Sequence, residues 1–239
     1  MTSGKHLAEF IGTFALTFVG AGAIIATGGE NLLVISLAHG LILAVMVAAL
    51  LHTSGAQFNP AVSIALAVRG KQPWCQATSF AVVQILGGIA AAYLLKALMV
   101  PAFPYANTHI GETLGMYSDS STPDLVSAWR VLVLEAIAAF FLMWVIMGVA
   151  VDSKNKQHAG IAALAIGGTV AADILCFGPL TGASMNPARS FGPALVVGDW
   201  TLQWCYWVGP IAGATIAAFV YDKTIKTADV YDKTVKTAE

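Results

Sequence analysis

The chain has 239 residues, of which 57% are hydrophobic and 10% are charged, and its formal net charge is −1. Soluble domains carry about 25% charged residues, so this composition excludes an ordinary soluble domain, and the near-zero net charge excludes a disordered chain or a basic protein that binds nucleic acid. The three cysteines lie far apart and form no Cys-x-x-Cys pair, which argues against a disulfide framework or a metal site. An integral membrane protein without a cofactor is therefore expected.

Six apolar runs are long enough to cross a bilayer as helices, which takes about 20 residues each. They lie at roughly 7–27, 32–52, 76–99, 127–150, 159–179 and 201–221. The first run is too long for the core of a secretory signal and has no small-residue cleavage site, so we expect it to be retained. No segment alternates as the strands of an outer-membrane barrel do. The predicted fold class is an all-α membrane protein with six transmembrane helices.

The basic residues are distributed unevenly between the two sides that six spans define. Nine of the twelve fall on the side of the termini, and the positive-inside rule makes that side cytoplasmic. The charge bias sets the orientation and does not distinguish the plasma membrane from a vacuolar membrane. The nine are Lys5, Arg69, Lys71, Lys154, Lys156, Lys223, Lys226, Lys233 and Lys236.

The two halves of the chain resemble each other. Asn-Pro-Ala occurs in GAQFNPAVSIAL at 55–66 and again in GASMNPARSFGPAL at 182–195, and each half opens on a span with one carboxylate, Glu9 or Glu135. Three spans per half mean that the second copy enters from the opposite face, as in an inverted 3+3 repeat. We predict one domain over 1–221, with repeats at about 5–99 and 127–221 joined by a loop at 100–126, and a cytoplasmic tail at 222–239.

Each Asn-Pro lies between full spans and precedes about ten mostly apolar residues. Asparagine is a preferred N-cap, and proline suits the first helical turn because its missing N–H would be unpaired there. Ten helical residues rise about 15 Å, which is half a bilayer. The pattern predicts two re-entrant half-helices that begin at membrane depth and point their positive N-terminal ends at one place.

This doubled motif resembles that of the aquaporin (major intrinsic protein) family, over roughly residues 5–221. The resemblance implies a channel in which two asparagine amides donate to one passing water and so interrupt proton transfer along the water file. It also implies that the lipid-embedded protein is a homotetramer and that no metal, cofactor or enzymatic residue takes part. The residues that carry the resemblance are Asn59, Pro60, Ala61, Asn186, Pro187, Ala188 and Arg189.

In this family the two span carboxylates brace the re-entrant loops by accepting backbone N–H groups, which assigns that role to Glu9 and Glu135. A proton relay is the alternative for such buried carboxylates.

The family's outer constriction is formed by four positions, and ungapped counting from the two asparagines places them at His39, Ile174, Ala183 and Arg189. Loop residue His109 is a candidate fifth member. The set departs from the phenylalanine and histidine that orthodox water channels have, and it resembles the plant tonoplast subgroup. That resemblance implies conduction of water together with ammonia or other small neutral solutes such as urea.

Two other functions stay open. Glycerol-conducting relatives have an aspartate after the second Asn-Pro-Ala-Arg and a basic residue four positions later, whereas Ser190 and Ala194 stand here. An inverted-repeat secondary transporter also uses broken helices. Asp173, inside the fifth span, has no predicted role: it could pair with His39 or with a backbone amide, or face the cytoplasmic half of the pore. The tail repeats YDKTIKTAD as YDKTVKTAE and is predicted to be solvated, with regulation as one option.

Overall fold

The computed structural model describes residues 3–103, 110–113, 127–152 and 159–236, with the backbone only at 159 and 226–236. Within these ranges the chain is helical and contains no strand. A short 3₁₀ turn, Val100–Ala102, follows the fourth helix, and a π-helical turn, Met147–Val151, ends the fifth. The α-helices of the described ranges are α1 (Ser3–Thr27), α2 (Leu32–Ser54), α3 (Pro60–Val68), α4 (Trp74–Leu98), α5 (Ala128–Ile146), α6 (Ala159–Thr181), α7 (Pro187–Val197) and α8 (Cys205–Lys236).

The predicted all-α fold is confirmed, with two differences at the sixth span. Among the described residues, five helices are long and apolar enough to cross a membrane, namely α1, α2, α4, α5 and α6. The sixth helix, α8, begins four residues later than predicted because 201–204 form a turn. The helix also continues beyond residue 221, where the sixth span was predicted to end. It includes most of the predicted tail and ends at Lys236.

The helices pack as two related halves. In the first half α1 lies along α2 and α4, and in the second half α5 lies along α8 and α6, while α2 and α6 meet across the seam between the halves. Small residues make this seam close: a Cβ added to Gly40 would lie 2.6 Å from the carbonyl oxygen of Gly167. Backbones in contact through glycine are typical of helix packing in lipid, where apolar burial alone gives no driving force.

The two short helices, α3 and α7, begin at the Asn-Pro pairs and fill the space between the long helices. Asn59 and Asn186 have extended backbones and cap their own helices, because each side-chain oxygen accepts the N–H of the second residue on, Ala61 at 2.9 Å and Ala188 at 3.0 Å. Proline occupies the first helical position in both. The predicted re-entrant half-helices are therefore confirmed, with nine residues in α3 and eleven in α7.

Candidate functional site

The tips of the two half-helices are joined by reciprocal hydrogen bonds. Asn59 Nδ2 donates to the carbonyl oxygen of Met185 at 2.8 Å, and Asn186 Nδ2 donates to the carbonyl oxygen of Phe58 at 2.8 Å. Each asparagine thus caps its own helix through its oxygen and binds the opposite loop through its nitrogen. An amide nitrogen carries two N–H groups, so this cross-link leaves the second N–H of each asparagine for another acceptor.

The loops that lead into the half-helices hold an unusual backbone. Ala56 and Phe58 have φ values of +46° and +50°, and Ala183 and Met185, at the equivalent positions of the second half, have +45° and +56°. Non-glycine residues rarely adopt this left-handed region, and such strain persists only where the surroundings fix it. The same alternation in both halves exposes successive backbone N–H groups on one side of each loop.

Glu9 binds these N–H groups in the first half. Its Oε1 accepts the N–H of Gln57 at 3.0 Å and the hydroxyl of Ser54 at 2.6 Å. Its Oε2 accepts the N–H of Phe58 at 2.6 Å and the side-chain amide of Gln84 at 2.8 Å. The carboxylate is fully buried and receives four donors, which is the compensation that a buried charge requires.

Glu135 repeats the arrangement in the second half with one donor fewer. It accepts the N–H of Ser184 at 2.9 Å, the N–H of Met185 at 2.7 Å and the hydroxyl of Thr181 at 2.8 Å. Tyr206 supports this half differently, because its hydroxyl donates to the carbonyl oxygen of Thr181 at 2.7 Å. The two halves thus share the bracing of the loop but differ in the side chains behind it.

One cavity of about 260 Å³ runs past both asparagines. Its wall is mostly aliphatic, with few polar side chains. A cavity of this size holds several waters in a file, since liquid water occupies about 30 Å³ per molecule. The polar side chains of its lining are those of His39, Gln57, Asn59, Ser184, Asn186 and Arg189.

The four positions counted from the sequence come together at one end of this cavity, where His39, Ile174, Ala183 and Arg189 are all lining residues with at most 3% of their surface exposed. The Nδ1 of His39 lies 2.8 Å from the carbonyl oxygen of Ile35, so Nδ1 carries the proton, because a carbonyl can only accept. The Nε2 lone pair then accepts from Arg189, whose Nη2 is 3.2 Å away and Nε 3.4 Å away. His39 is therefore neutral in this network, and its Nε2 accepts hydrogen bonds from the guanidinium of Arg189.

One guanidinium nitrogen of Arg189, Nη1, is available to bind a solute in the cavity. This nitrogen is buried and has no hydrogen-bond partner within the described part of the chain. Because a guanidinium nitrogen can only donate, Nη1 offers a hydrogen bond to an acceptor that enters the cavity.

Two further residues from the sequence prediction are not assigned to this ring. His109 lies outside the described residues. Asp173 is buried beside Ile174 along α6 but is not among the cavity-lining residues, and its Oδ2 has no hydrogen-bond partner in the described ranges. Within the described ranges no hydrogen bond joins Asp173 to a backbone amide or to His39, whose ring nitrogens are engaged by Ile35 and Arg189. The role of Asp173 stays unassigned.

Sequence reasoning missed three polar side chains of the site, Gln57, Gln72 and Gln84. Gln57 lines the cavity, while Gln84 connects Glu9 to Ser63 by donating to Ser63 Oγ at 3.1 Å. Gln72 donates to the carbonyl oxygen of Ser63 at 2.7 Å. A glutamine in an apolar span is expensive to bury, so Gln84 was detectable by the same argument as Glu9.

In the described part of the chain, six long helices, five of them apolar enough to span a membrane, surround two half-helices that meet tip to tip beside a narrow cavity. This arrangement defines a membrane channel. The family model for the major intrinsic protein matches residues 1–221, and the chain belongs to this family. It is accordingly a passive channel for water or small solutes and not an enzyme.

Plant relatives and a solved structure agree with this assignment. The chain is 41% identical over 230 residues to Aquaporin TIP1-2 of Zea mays, covering 92% of this chain and 85% of the relative. It is 40% identical over 222 residues to Aquaporin NIP1-1 of Zea mays, covering 91% of this chain and 73% of the relative. The structure of the aquaglyceroporin from Plasmodium falciparum superposes with a TM-score of 0.80 at 26% identity, over 92% of this chain and 96% of that one. The expected similarity to the tonoplast type is confirmed.

Proposed function

We propose that this channel conducts water together with ammonia and other small neutral solutes such as urea, and that it excludes protons and ions. One observation carries the proposal: a single cavity touches Asn59 and Asn186 and also the paired His39 and Arg189. A solute that passes through must therefore meet both a midplane donor pair and a cationic ring.

At the midplane, the two asparagines are proposed to orient water. Each side-chain nitrogen donates one N–H to a carbonyl oxygen of the opposite loop. A water that accepts the two remaining N–H groups has no lone pair left for a neighbouring water, so proton hopping along the file is interrupted. The positive N-terminal ends of α3 and α7 meet at the same place and repel cations.

At the ring, size and donors are proposed to select the solute. Ile174 and Ala183 offer no ligands to replace the hydration of an ion, so a cation would lose water without compensation. A neutral ammonia or urea molecule can instead accept a hydrogen bond from Nη1 of Arg189, which is buried and has no protein partner in the described ranges. A histidine at position 39 leaves more lateral room than a phenylalanine would.

The cross-link also favours a static pore over a secondary transporter. Each asparagine belongs to one repeat and bonds the loop of the other repeat. Rocking one repeat against the other, as alternating access requires, would break two buried hydrogen bonds at the centre of the molecule.

Glycerol is a second candidate substrate, favoured by the likeness to a structure whose title names an aquaglyceroporin. Against it, Ser190 stands where glycerol-conducting relatives have an aspartate, and its hydroxyl is paired with that of Ser184.

We further propose that both termini are cytoplasmic, in a vacuolar or plasma membrane, and that the protein is a homotetramer. Two contacts support a common side for the termini: His6 near the N-terminus bonds Ser79 at 3.0 Å near the start of α4, and Arg69, five residues before that helix, bonds Asp222 beyond the last span.

Stopped-flow light scattering of proteoliposomes tests the proposed function. We expect water flux well above that of protein-free vesicles and with a low activation energy; flux no faster than bare lipid would overturn the channel proposal. The same vesicles with an internal pH dye, under ammonium, urea and glycerol gradients, rank the solutes. His39→Phe should lower the ratio of ammonia to water flux, and an unchanged ratio would remove His39 from the filter.

A further inference from the structure

The helices α2, α3 and α5 end on the side of the termini, and the cavity-lining residues at or near these helix ends include Leu51, Gly55, Gln57, Leu66, Ala150 and Val151. We call this part of the cavity the inner mouth. Gln57 carries the one polar side chain among these six. Among the described residues of the inner mouth, Gln57 is the one that offers water a side-chain hydrogen bond, so the orientation of its amide matters for passage.

Gln57 is held by a compact polar cluster behind the mouth. Its Nε2 donates to Oε1 of Gln72 at 2.8 Å, and its Oε1 accepts from Nε2 of Gln72 at 3.2 Å and from the hydroxyl of Ser63 at 2.6 Å. Gln72 also donates to the carbonyl oxygen of Ser63 at 2.7 Å, so it is fixed to α3. Two of the three bonds of the Gln57 side chain depend on where Gln72 sits.

Gln72 belongs to the short connection 69–73 between α3 and α4, and the middle of α8 holds this connection through Asp222. Asp222 Oδ2 lies 3.2 Å from Nη2 of Arg69 and 3.2 Å from Nζ of Lys71. The Asp222 side chain is 8% exposed, so these ion pairs are less screened by water than surface pairs are. Arg69 also stacks on Phe219 of α8, with 4.9 Å from its guanidinium carbon to the ring centroid.

We propose that Asp222 and Gln72 are positioning residues for Gln57, so that the first turn of the C-terminal tail sets the inner mouth of the channel. Without Asp222, two cations lose their counter-charge and repel each other, the connection 69–73 loosens, and Gln72 withdraws. Gln57 then loses two partners and turns its free donor and acceptor towards the water file. The inference rests on the proposed conduction of water.

The test measures water and ammonia flux per reconstituted channel for a charge-neutral variant, Asp222→Asn. We expect at least a twofold fall in water permeability and a changed ratio of ammonia to water. Asp222→Glu should restore most of the flux, because it keeps the charge. Asp232→Asn is the matched control, since Asp232 has the same Tyr-Asp-Lys-Thr context in the second tail copy, and it should leave the flux unchanged.

A double-variant experiment distinguishes the positioning role of Asp222 from a general loss of structure. In a Gln57→Leu background the inner mouth has no amide to position, so adding Asp222→Asn should change permeability little further. Equal effects of Asp222→Asn in both backgrounds, an equal effect of Asp232→Asn, or unchanged flux in Asp222→Asn would each overturn the inference. Unchanged flux in that variant with a conducting wild type leaves the proposed function standing, whereas a wild type that does not conduct removes the proposed function itself.

Discussion

At the scale of single residues, the two buried glutamates occupy equivalent positions in the two repeats but accept different numbers of hydrogen bonds. Glu9 receives four donors and Glu135 three, the difference being the side chain of Gln84. Both carboxylates hold two consecutive backbone N–H groups of a strained loop. The family role assigned to them is thus supported by the same bonding pattern in both halves.

Removing either glutamate should destabilise the protein, and Glu9→Ala more than Glu135→Ala. A buried N–H or O–H donor that loses its acceptor costs about 1–3 kcal/mol. Glu9→Ala removes the acceptor of four such donors, and Glu135→Ala removes the acceptor of three. Thermal unfolding in detergent, monitored by size-exclusion chromatography, shows which variant has the lower melting temperature. Glu30→Ala, at an exposed turn, is the control and should leave the melting temperature unchanged. The reverse order would show that the number of donors does not set the cost.

His39→Ala tests the outer ring. It removes the acceptor that holds Nε and Nη2 of Arg189 and opens space beside Gly20, against which the imidazole packs. We expect the ratio of urea to water permeability to rise at least threefold, measured by stopped-flow swelling. His52→Ala, at an exposed histidine of the same helix, serves as the comparison. A ratio equal to that of the wild type would mean that His39 does not limit solute size.

At the scale of secondary-structure elements, the half-helices depend on two asparagines that act as cap and as cross-link at once. The oxygen of each side chain stabilises its own helix, and the nitrogen fastens the opposite loop. Substitutions can separate these two functions because aspartate keeps the oxygen acceptor and loses the donor.

Asn186→Asp and Asn186→Ala should therefore differ. Alanine loses the cap, at a cost of about 1 kcal/mol, and the cross-link together. Aspartate keeps the cap but sets a carboxylate against the carbonyl oxygen of Phe58 and places a negative charge at the midplane. We expect proton flux, followed with an internal pH dye, to rise in the aspartate variant above that of the alanine variant. Proton flux at the wild-type level in Asn186→Asp would argue against a midplane role in exclusion.

At the scale of the whole molecule, close contact between the two halves depends on glycines in α2 and α6. Gly167→Val should destabilise the fold, because a Cβ there would lie 2.7 Å from the Cβ of Ala44 in α2 and would also meet the carbonyl oxygen of Gly40. Overpacking of this kind costs about 1–3 kcal/mol or more. Gly168→Val, one residue along and facing open space, is the matched control. The yield of monodisperse protein in detergent measures both, and equal yields would contradict a tight seam.

The sequence was sufficient for the fold and for the midplane of the site, because both rest on local patterns. Apolar runs locate the spans, and Asn-Pro pairs locate the half-helices at Asn59 and Asn186. The cluster of Gln57, Gln72 and Asp222 was not predicted, since its members lie up to 165 positions apart and no period or motif relates them. The length of α8 was missed for a similar reason: the tail is polar, and polarity suggested only solvation.

The reciprocal bonds between the asparagines and the opposite loops have a consequence for biosynthesis. Asn59 is made long before Met185, and at about 5–20 residues per second the ribosome needs on the order of 6–25 s to supply the second partner. During that interval the first re-entrant loop has Glu9 to bind its amides but no acceptor for Asn59 and no donor for Phe58. The newly inserted first repeat is therefore a folding intermediate with an open polar tip, and it is the stage of synthesis at which an insertion chaperone would have most to shield.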